Sequence, residues 1–463
     1  MKEEELKQLR EQIRHVTGKI VSLAAERSKL ANEIGRIKKE MGIPIQDEGT
    51  ELMLEKYVIS LCRESGFDER TGLKILHTLI EGSKDVQGYT QNEQRITPMT
   101  MAARARKLIS EGRDIIRLDI GEPDFGPPKE VVEECIRALN LGKTKYTDTR
   151  GIPPLISALQ NYIESKHKFG TQSENLLITP GGRFAIFAAL SAIVREGESV
   201  LIIQPCWPAY RENIEFVGAR TISLRTEIDE GWNPDIDRLQ QSITETTRAI
   251  IISYPSNPTG KIIDKSMFKA ILEIAKEKNI TIISDEIYNE YAYKDCPSIL
   301  DFNVDNFVLT SSFSKTWAMT GFRVGYAVSS REIIQKMYRV LALAVTCVPE
   351  FIQYGAVKAL TSEQDARKNS ETMKRRIEIA YSEISKIEQL KTYKPDGAMY
   401  LFPVSRDEKF DSDNFAETLL ENKGVTVSPG TGFGDYRKAF RISLGQKEER
   451  IVEGIRRIGE LLG

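Results

Sequence analysis

The sequence has 463 residues, 40% of them hydrophobic and 29% charged, with a formal net charge of −2 at pH 7. That length exceeds one ordinary core, so two or three domains are expected, and the near-neutral balance argues against a nucleic-acid binder. No apolar run approaches the ~18 residues of a membrane span; the best candidate, 340–348, reads as a buried segment. The chain opens on Lys2, Glu3, Glu4 and Glu5, which is not a secretory leader. Apolar residues then step by three and four through Leu6, Leu9, Ile13, Val16, Ile20, Leu23, Leu30, Ile34, Ile37 and Met41. This heptad seam spans roughly 50 Å if helical throughout. Gly42 and Pro44 are expected to stop it. Two shorter helical patterns follow, at about 50–65 and 69–86, and no strand pattern appears. Residues 1–90 therefore read as a small all-helical domain, too thin to bury its seam alone. A second copy of the chain is the expected cover. One step of four from Leu23 lands on Arg27, where an apolar residue belongs. A charge in a seam costs stability unless paired, so Arg27 is either a register device or part of an anion pocket. Arg10 and Lys38 are further candidate cations.

Residues 87–97 are polar and read as a linker. Beyond them short apolar runs alternate with helical patterns: 200–205, 249–255, 280–286 and 306–312. Such runs predict buried parallel strands in a doubly wound α/β sheet. The five cysteines, at 62, 135, 206, 296 and 347, fall at no metal or redox spacing. They read as buried thiols in a reducing cytoplasm. Three histidines leave little material for a metal site, and none is expected.

In open α/β sheets, ligands sit beyond the carboxyl ends of the strands. After the run at 249–255 stands Tyr254-Pro-Ser-Asn257-Pro-Thr-Gly260; after 280–284 come Asp285 and Tyr288; after 306–310 come Ser311, Ser312, Ser314 and Lys315, then Arg323. Any one of these is an ordinary turn or solvated terminus. Together they bring an amide, a carboxylate, a phenol, a lysine and an arginine to one edge. A lysine beside a buried carboxylate and phosphate-binding groups suits Schiff-base chemistry, because lysine can lose its proton when desolvated and arginine cannot. The carboxylate would hold a pyridine nitrogen protonated. Unit charges ~4 Å apart at an effective dielectric of about 20 attract by roughly 4 kcal/mol, equivalent to about three pKa units. Thr179-Pro-Gly-Gly182-Arg183 enters a helical pattern, where free N–H groups can meet a phosphate.

Ser311-Ser-Phe-Ser-Lys315-Thr-Trp-Ala-Met-Thr-Gly-Phe-Arg323-Val-Gly-Tyr resembles the cofactor-lysine motif of the class I (fold type I) aminotransferases. Leu118-Asp-Ile-Gly121-Glu-Pro-Asp-Phe125, Tyr146-Thr-Asp-Thr-Arg-Gly151-Ile-Pro, 254–260, Asp285-Glu-Ile-Tyr288 and Phe440-Arg441-Ile-Ser443 match the family's other blocks in order, across 97–463. The resemblance implies pyridoxal 5′-phosphate as cofactor and a large PLP-binding domain at about 140–335. A small α/β domain would come from about 97–135 and 340–463. It implies that Lys315 bonds the cofactor and shuttles the proton, and that Asp285 pairs with the pyridinium nitrogen. Asn257 and Tyr288 would bond the phenolic oxygen, and Trp207 would stack on the ring. Gly182, Arg183 (through its backbone), Ser312 and Arg323 would hold the phosphate, with Tyr146 reaching that of a neighbouring subunit. Arg441 would grip the substrate α-carboxylate, with Asn257 and Gly121 beside the substrate.

The N-terminal segment resembles the all-helical chorismate mutases. The blocks are Leu9-Arg10-Glu-Gln-Ile13, Ala25-Glu-Arg27, Glu33-Ile-Gly-Arg-Ile-Lys38, Ile45-Gln-Asp47 and Ile80-Glu-Gly-Ser83-Lys-Asp-Val-Gln87. By that resemblance Arg10 of a partner chain, Arg27, Lys38, Asp47, Glu51, Ser83 and Gln87 line the pocket. One position departs: between Asp47 and Glu51 the family carries an arginine, and here stands Thr50.

The two resemblances imply a cytoplasmic, bifunctional enzyme of aromatic amino-acid synthesis that forms a homodimer or a higher homo-oligomer. It would make prephenate and transaminate prephenate, phenylpyruvate or 4-hydroxyphenylpyruvate from glutamate or aspartate. The alternative is an aspartate aminotransferase whose helical domain binds an effector or dimerises. A transcription factor on this scaffold would need a basic recognition helix, which the first helix is not; a carbon–sulfur lyase on the same scaffold stays open.

Overall fold

A computed structural model of the chain describes residues 2–41, 48–87 and 98–463. They fall into two compact units, Met1–Arg95 and Ile96–Gly463. Gly42, Pro44, Asp47 and most of the expected linker lie outside the described residues.

The first unit contains α1 (Lys2–Met41), α2 (Glu48–Ser65) and α3 (Glu69–Val86). Acidic residues in the first turn of α1 and Lys38 and Lys39 in its last complement the helix dipole. The turn into α3 uses Gly66 at φ +65, and Asp68 caps α3 by accepting from the N–H and hydroxyl of Thr71. Leu73, Leu76 and Ile80 of α3 form a small core with Leu54, Val58 and Ile59 of α2. On α1 only Ala31 and Gly35 are buried. Its apolar seam stays in solvent within a single chain, from 47% exposed at Ile37 to 67% at Ile13.

The second unit begins with α4 (Pro98–Ser110), β1 (Ile116–Arg117), α5 (Lys129–Asn140) and α6 (Pro153–His167). Then come β2 (Leu176–Thr179), α7 (Gly182–Ile193), β3 (Ser199–Gln204), α8 (Ala209–Phe216) and β4 (Arg220–Arg225). Next are α9 (Ile236–Ser242), β5 (Thr247–Ser253), α10 (Lys265–Glu277), β6 (Thr281–Asp285), β7 (Phe307–Ser312) and β8 (Gly325–Ser329). Seven strands make one sheet in the order β2-β8-β7-β6-β5-β3-β4. The four apolar runs read from sequence become β3, β5, β6 and β7, which pair in parallel as neighbours. The exception is β8, antiparallel to both β7 and β2. The β7–β8 connection contains only short turns and no crossover helix, and a parallel return needs one.

Helices cover both faces, which is why the central strands carry continuous apolar runs. Leu155 and Leu159 of α6 and Phe268 and Ile271 of α10 pack one face. Ala185, Ala189 and Leu190 of α7 pack the other, with Ile334, Met337 and Leu341 of helix Arg331–Ala344. A separate core joins the chain before the sheet (Met101, Ile116, Leu118) to the chain after it (Ile377, Phe415, Ile451, Ile455). There β1 pairs with Val425–Thr426, and strand Phe440–Ser443 lies between Tyr400–Leu401 and Ser428–Pro429. Among the described residues, no helix is long and apolar enough to cross a membrane.

Candidate active sites

Because β2, β5, β6 and β7 run the same way, their carboxyl ends share one edge of the sheet. Asp285 ends β6 and is 5% exposed. It accepts a hydrogen bond of 2.6 Å from the Tyr210 hydroxyl and one of 3.3 Å from the Ile287 N–H. Burial pushes its carboxyl up to about 6, against the opposing pull of those two donors and of Lys315. Tyr210 lies on α8, with its ring edge-on to Trp207 at 5.5 Å. The exposed Arg183 holds its guanidinium 4.7 Å from the Trp207 ring centroid.

Lys315 sits in the β7–β8 connection and donates from Nζ to the Gly121 carbonyl at 2.5 Å. Burial pushes its ammonium below the usual lysine range, with Tyr400 and Glu122 pulling the other way. An amine so placed can be neutral, and hence a nucleophile or base. The Tyr288 and Tyr400 hydroxyls meet at 2.5 Å. Arg441 lies 4.5 Å from the Tyr400 ring centroid. It donates to Asn257 Oδ1 (3.0 Å), the Asp119 carbonyl (2.6 Å) and Ser428 Oγ (3.3 Å). Its Nε is buried with no hydrogen-bond partner. A Cβ on Gly121 would overlap the Tyr400 hydroxyl, so this position admits backbone only.

Gly182 opens α7, preceded by Gly181 at φ +86. Arg323 packs where a Gly181 side chain would stand, and donates to the Thr320 and Pro180 carbonyls. Ser312 Oγ is 2.7 Å from Ser314 Oγ, and the Ser312 side chain lies 3.5 Å from the Cβ position of Gly182. Free helix N–H groups, two hydroxyls and a guanidinium make an anion cradle. The buried carboxylate, the desolvated amine and this cradle are a donor set that fits a phosphorylated pyridine.

The fold thus gathers Gly121, Gly182, Arg183, Trp207, Asn257, Asp285, Tyr288, Ser312, Lys315, Arg323 and Arg441 at the strand ends. Tyr146 is 86% exposed and stands outside this group in a single chain. Sequence reading missed Tyr210 and Tyr400. The first follows Trp207 by one helical turn in Trp207-Pro-Ala-Tyr210, and that spacing was the available signal. The second lies in Gly397-Ala-Met-Tyr400, where an aromatic residue reads as core.

In the helical unit, Arg27 turns toward α3. It donates to the Leu79 carbonyl at 2.6 Å and to Ser83 Oγ. Ser83 is buried and itself donates to the Leu79 carbonyl. Gln87 packs against Gly35, and its Oε1 is buried without a hydrogen-bond partner among the described residues. Glu51 pairs with Lys84 at 3.0 Å, and Glu55 with His77 at 2.7 Å. Burial pushes the His77 imidazole down. Lys38 is half-buried, and Arg10 and Thr50 are exposed.

Residues 113–458 match the family model Aminotransferase class I and II, and residues 9–88 match Chorismate mutase type II. The chain is 38% identical over 379 residues to (5-formylfuran-3-yl)methyl phosphate transaminase of Methanocaldococcus jannaschii, covering 80% of this chain and 98% of that protein. It is 36% identical over 375 residues to a "Probable aspartate/prephenate aminotransferase" of Aquifex aeolicus, covering 79% and 95%. The crystal structure of aspartate aminotransferase from Thermotoga maritima superposes with a TM-score of 0.75 at 34% identity, over 79% of this chain and 96% of that one.

Proposed function

Because this chain belongs to the class I and II aminotransferases and carries a type II chorismate mutase domain, we propose that it serves two steps of aromatic amino-acid synthesis. The helical unit converts chorismate to prephenate. The larger unit transfers an amino group from glutamate or aspartate to prephenate, phenylpyruvate or 4-hydroxyphenylpyruvate. The observation that carries this reading is the co-occurrence on one chain of the Lys315–Asp285 site and the Arg27–Ser83 pair. The product of the second chemistry is a 2-oxo acid, the substrate class of the first. The aspartate/prephenate activity named for the Aquifex relative supports it.

The family's cofactor is pyridoxal phosphate, and the donor set described above fits it. When bound, it supplies an electron-poor ring that stabilises the electron pair left as the substrate's Cα–H bond breaks. Gly182, the Arg183 backbone, Ser312 and Arg323 would hold its phosphate. Asp285 would pair with the ring nitrogen, Asn257 and Tyr288 with the phenolic oxygen, and Trp207 would stack on the ring. Lys315 Nζ would take the Cα proton and hold it for return on the same face; burial keeps it ready to do so by lowering its proton affinity. Arg441 grips the substrate α-carboxylate in a fork, its plane held by Asn257, Asp119 and Ser428. Gly121 leaves room beside it. The exposed Arg183 guanidinium at Trp207 receives the second carboxylate of the donor. The working unit is a homodimer or higher homo-oligomer, in which Tyr146 of the partner subunit reaches the phosphate.

The chorismate rearrangement is unimolecular and needs only positioning and cations at the breaking ether and the two carboxylates. Arg27, Lys38 and Arg10 of the partner subunit supply the charge. Gln87, Ser83, Glu51 and Asp47 hold the remaining polar groups. A second reading, an aspartate aminotransferase whose helical unit binds an effector, is favoured by Thr50. Chorismate consumption by purified enzyme, with and without glutamate or aspartate and with products identified by mass, separates the two. Conversion to prephenate without donor, and to an amino acid with it, is the expected result. Chorismate that persists while aspartate and 2-oxoglutarate exchange amino groups overturns the mutase step.

A further inference from the structure

The last turns of α3 carry two polar faces. Toward α1, Ser83 and the Leu79 carbonyl take Arg27. Toward α2, His77 and Lys84 meet Glu55 and Glu51. Lys84 continues the inward stripe of Leu73, His77 and Ile80, at the spacing that places residues on one helix face. Its side chain is only 22% exposed and that of Glu51 16%. Holding an ion pair this far from water costs desolvation that two apolar residues at the same positions would not incur. Core packing therefore gives no reason for a lysine here.

A ligand does. Lys84 lies one turn before Gln87, whose Oε1 is buried without a partner among the described residues. The carbonyl end of a helix favours cations. An ammonium has three hydrogens, and Glu51 takes one direction, leaving donors for a carboxylate. We propose that Lys84 is a substrate-binding cation of the helical pocket, sharing with Arg27 the carboxylates of a cyclic dicarboxylate. It supplies from α3 the positive charge that Thr50 does not supply from α2. This rests on the mutase reading above, and names a residue that reading does not use.

The test uses the full-length enzyme with Lys84→Met, which keeps the stem and removes the charge, and Lys84→Arg. Chorismate turnover, prephenate binding by calorimetry, thermal midpoint and transamination are measured side by side. Lys84→Met is expected to lose about 100-fold in kcat/KM for chorismate, and prephenate affinity with it, while transamination holds and Lys84→Arg recovers most of the loss. A Lys84→Met enzyme within about threefold of the parent in turnover and binding overturns the role of Lys84 and leaves the mutase reading standing. A parent that binds prephenate without turning over chorismate, with binding lost in Lys84→Met, keeps Lys84 as the ligand cation and ends the mutase reading. A parent that does neither overturns both.

Discussion

Tyr210 donates its phenolic hydrogen to Asp285 across a buried contact of 2.6 Å. That bond favours the carboxylate, yet burial wins and lifts the group from 3.8 to about 6. For an acid raised on folding, the stability it contributes is full below the unfolded value and is lost as pH rises through the folded one. The cofactor-free enzyme thus bears a penalty at neutral pH that a pyridinium relieves. Cofactor affinity should fall about tenfold per pH unit below about 6, as Asp285 protonates. Absorbance titrations with pyridoxal phosphate from acid to neutral pH check this. Asp285→Asn should bind weakly with no such slope, and Tyr210→Phe should move the break to higher pH.

Lys315→Ala should lose transamination by a factor on the order of 10,000, since on the proposed mechanism one amine serves as both attachment point and proton carrier. Lys315→Arg should not recover it, because a guanidinium does not give up its proton. Chorismate turnover by the same two proteins should match the parent, which a coupled assay of both activities would show.

Gly121→Ala places a methyl group against the Tyr400 hydroxyl, on a ring that is 1% exposed and cannot swing aside. The ring also carries the contact to Tyr288 and lies against Arg441. Overpacking of this kind costs about 1–3 kcal/mol, and misplacement of an ångström at a reacting centre costs about 100-fold in rate. We expect kcat to drop by that order with only a modest fall in thermal midpoint, measured by steady-state kinetics and calorimetry.

Arg183→Ala removes the exposed cation beside Trp207 without disturbing the backbone that opens α7. KM for glutamate and aspartate should rise about tenfold, equivalent to ~1.4 kcal/mol. Turnover of phenylalanine or tyrosine in the reverse direction should hardly change. Equal losses for acidic and aromatic amino acids would assign Arg183 to the phosphate alone.

The central strands were readable because a strand buried on both faces is apolar through its middle, as in Ala249 to Ile252 of β5 and Ile282 and Ile283 of β6. Their loops were readable because Asp285, Asn257 and Lys315 each follow such a run. The short strands were not: β1 has two residues, too few for any period, and its partner lies far along the chain. The antiparallel β8 was hidden because a run such as 325–329 carries no sign of its direction. Tyr210 and Tyr400 were missed for a related reason. A tyrosine on an amphipathic helix or in a two-residue strand reads as core until folding aims its hydroxyl. Lys84 was not singled out, because its pairing with Glu51 joins two helices whose relative rotation the sequence does not state. Tyr146 and Arg10 were expected to act in a second chain, and both point into solvent in this one.

On α1 two small residues are buried while the apolar row from Leu6 to Met41 stands in water. A helix draws most of its stability from tertiary packing rather than propensity, so an unassembled copy frays from its N-terminus and offers itself to proteases. What survives such trimming is the Lys315-bearing half, which has its own core. Orphaned chains would therefore decay into single-activity remnants rather than vanish. If the chains pair through this row, as proposed, the ratio of chorismate turnover to transamination in an extract becomes a gauge of that pairing.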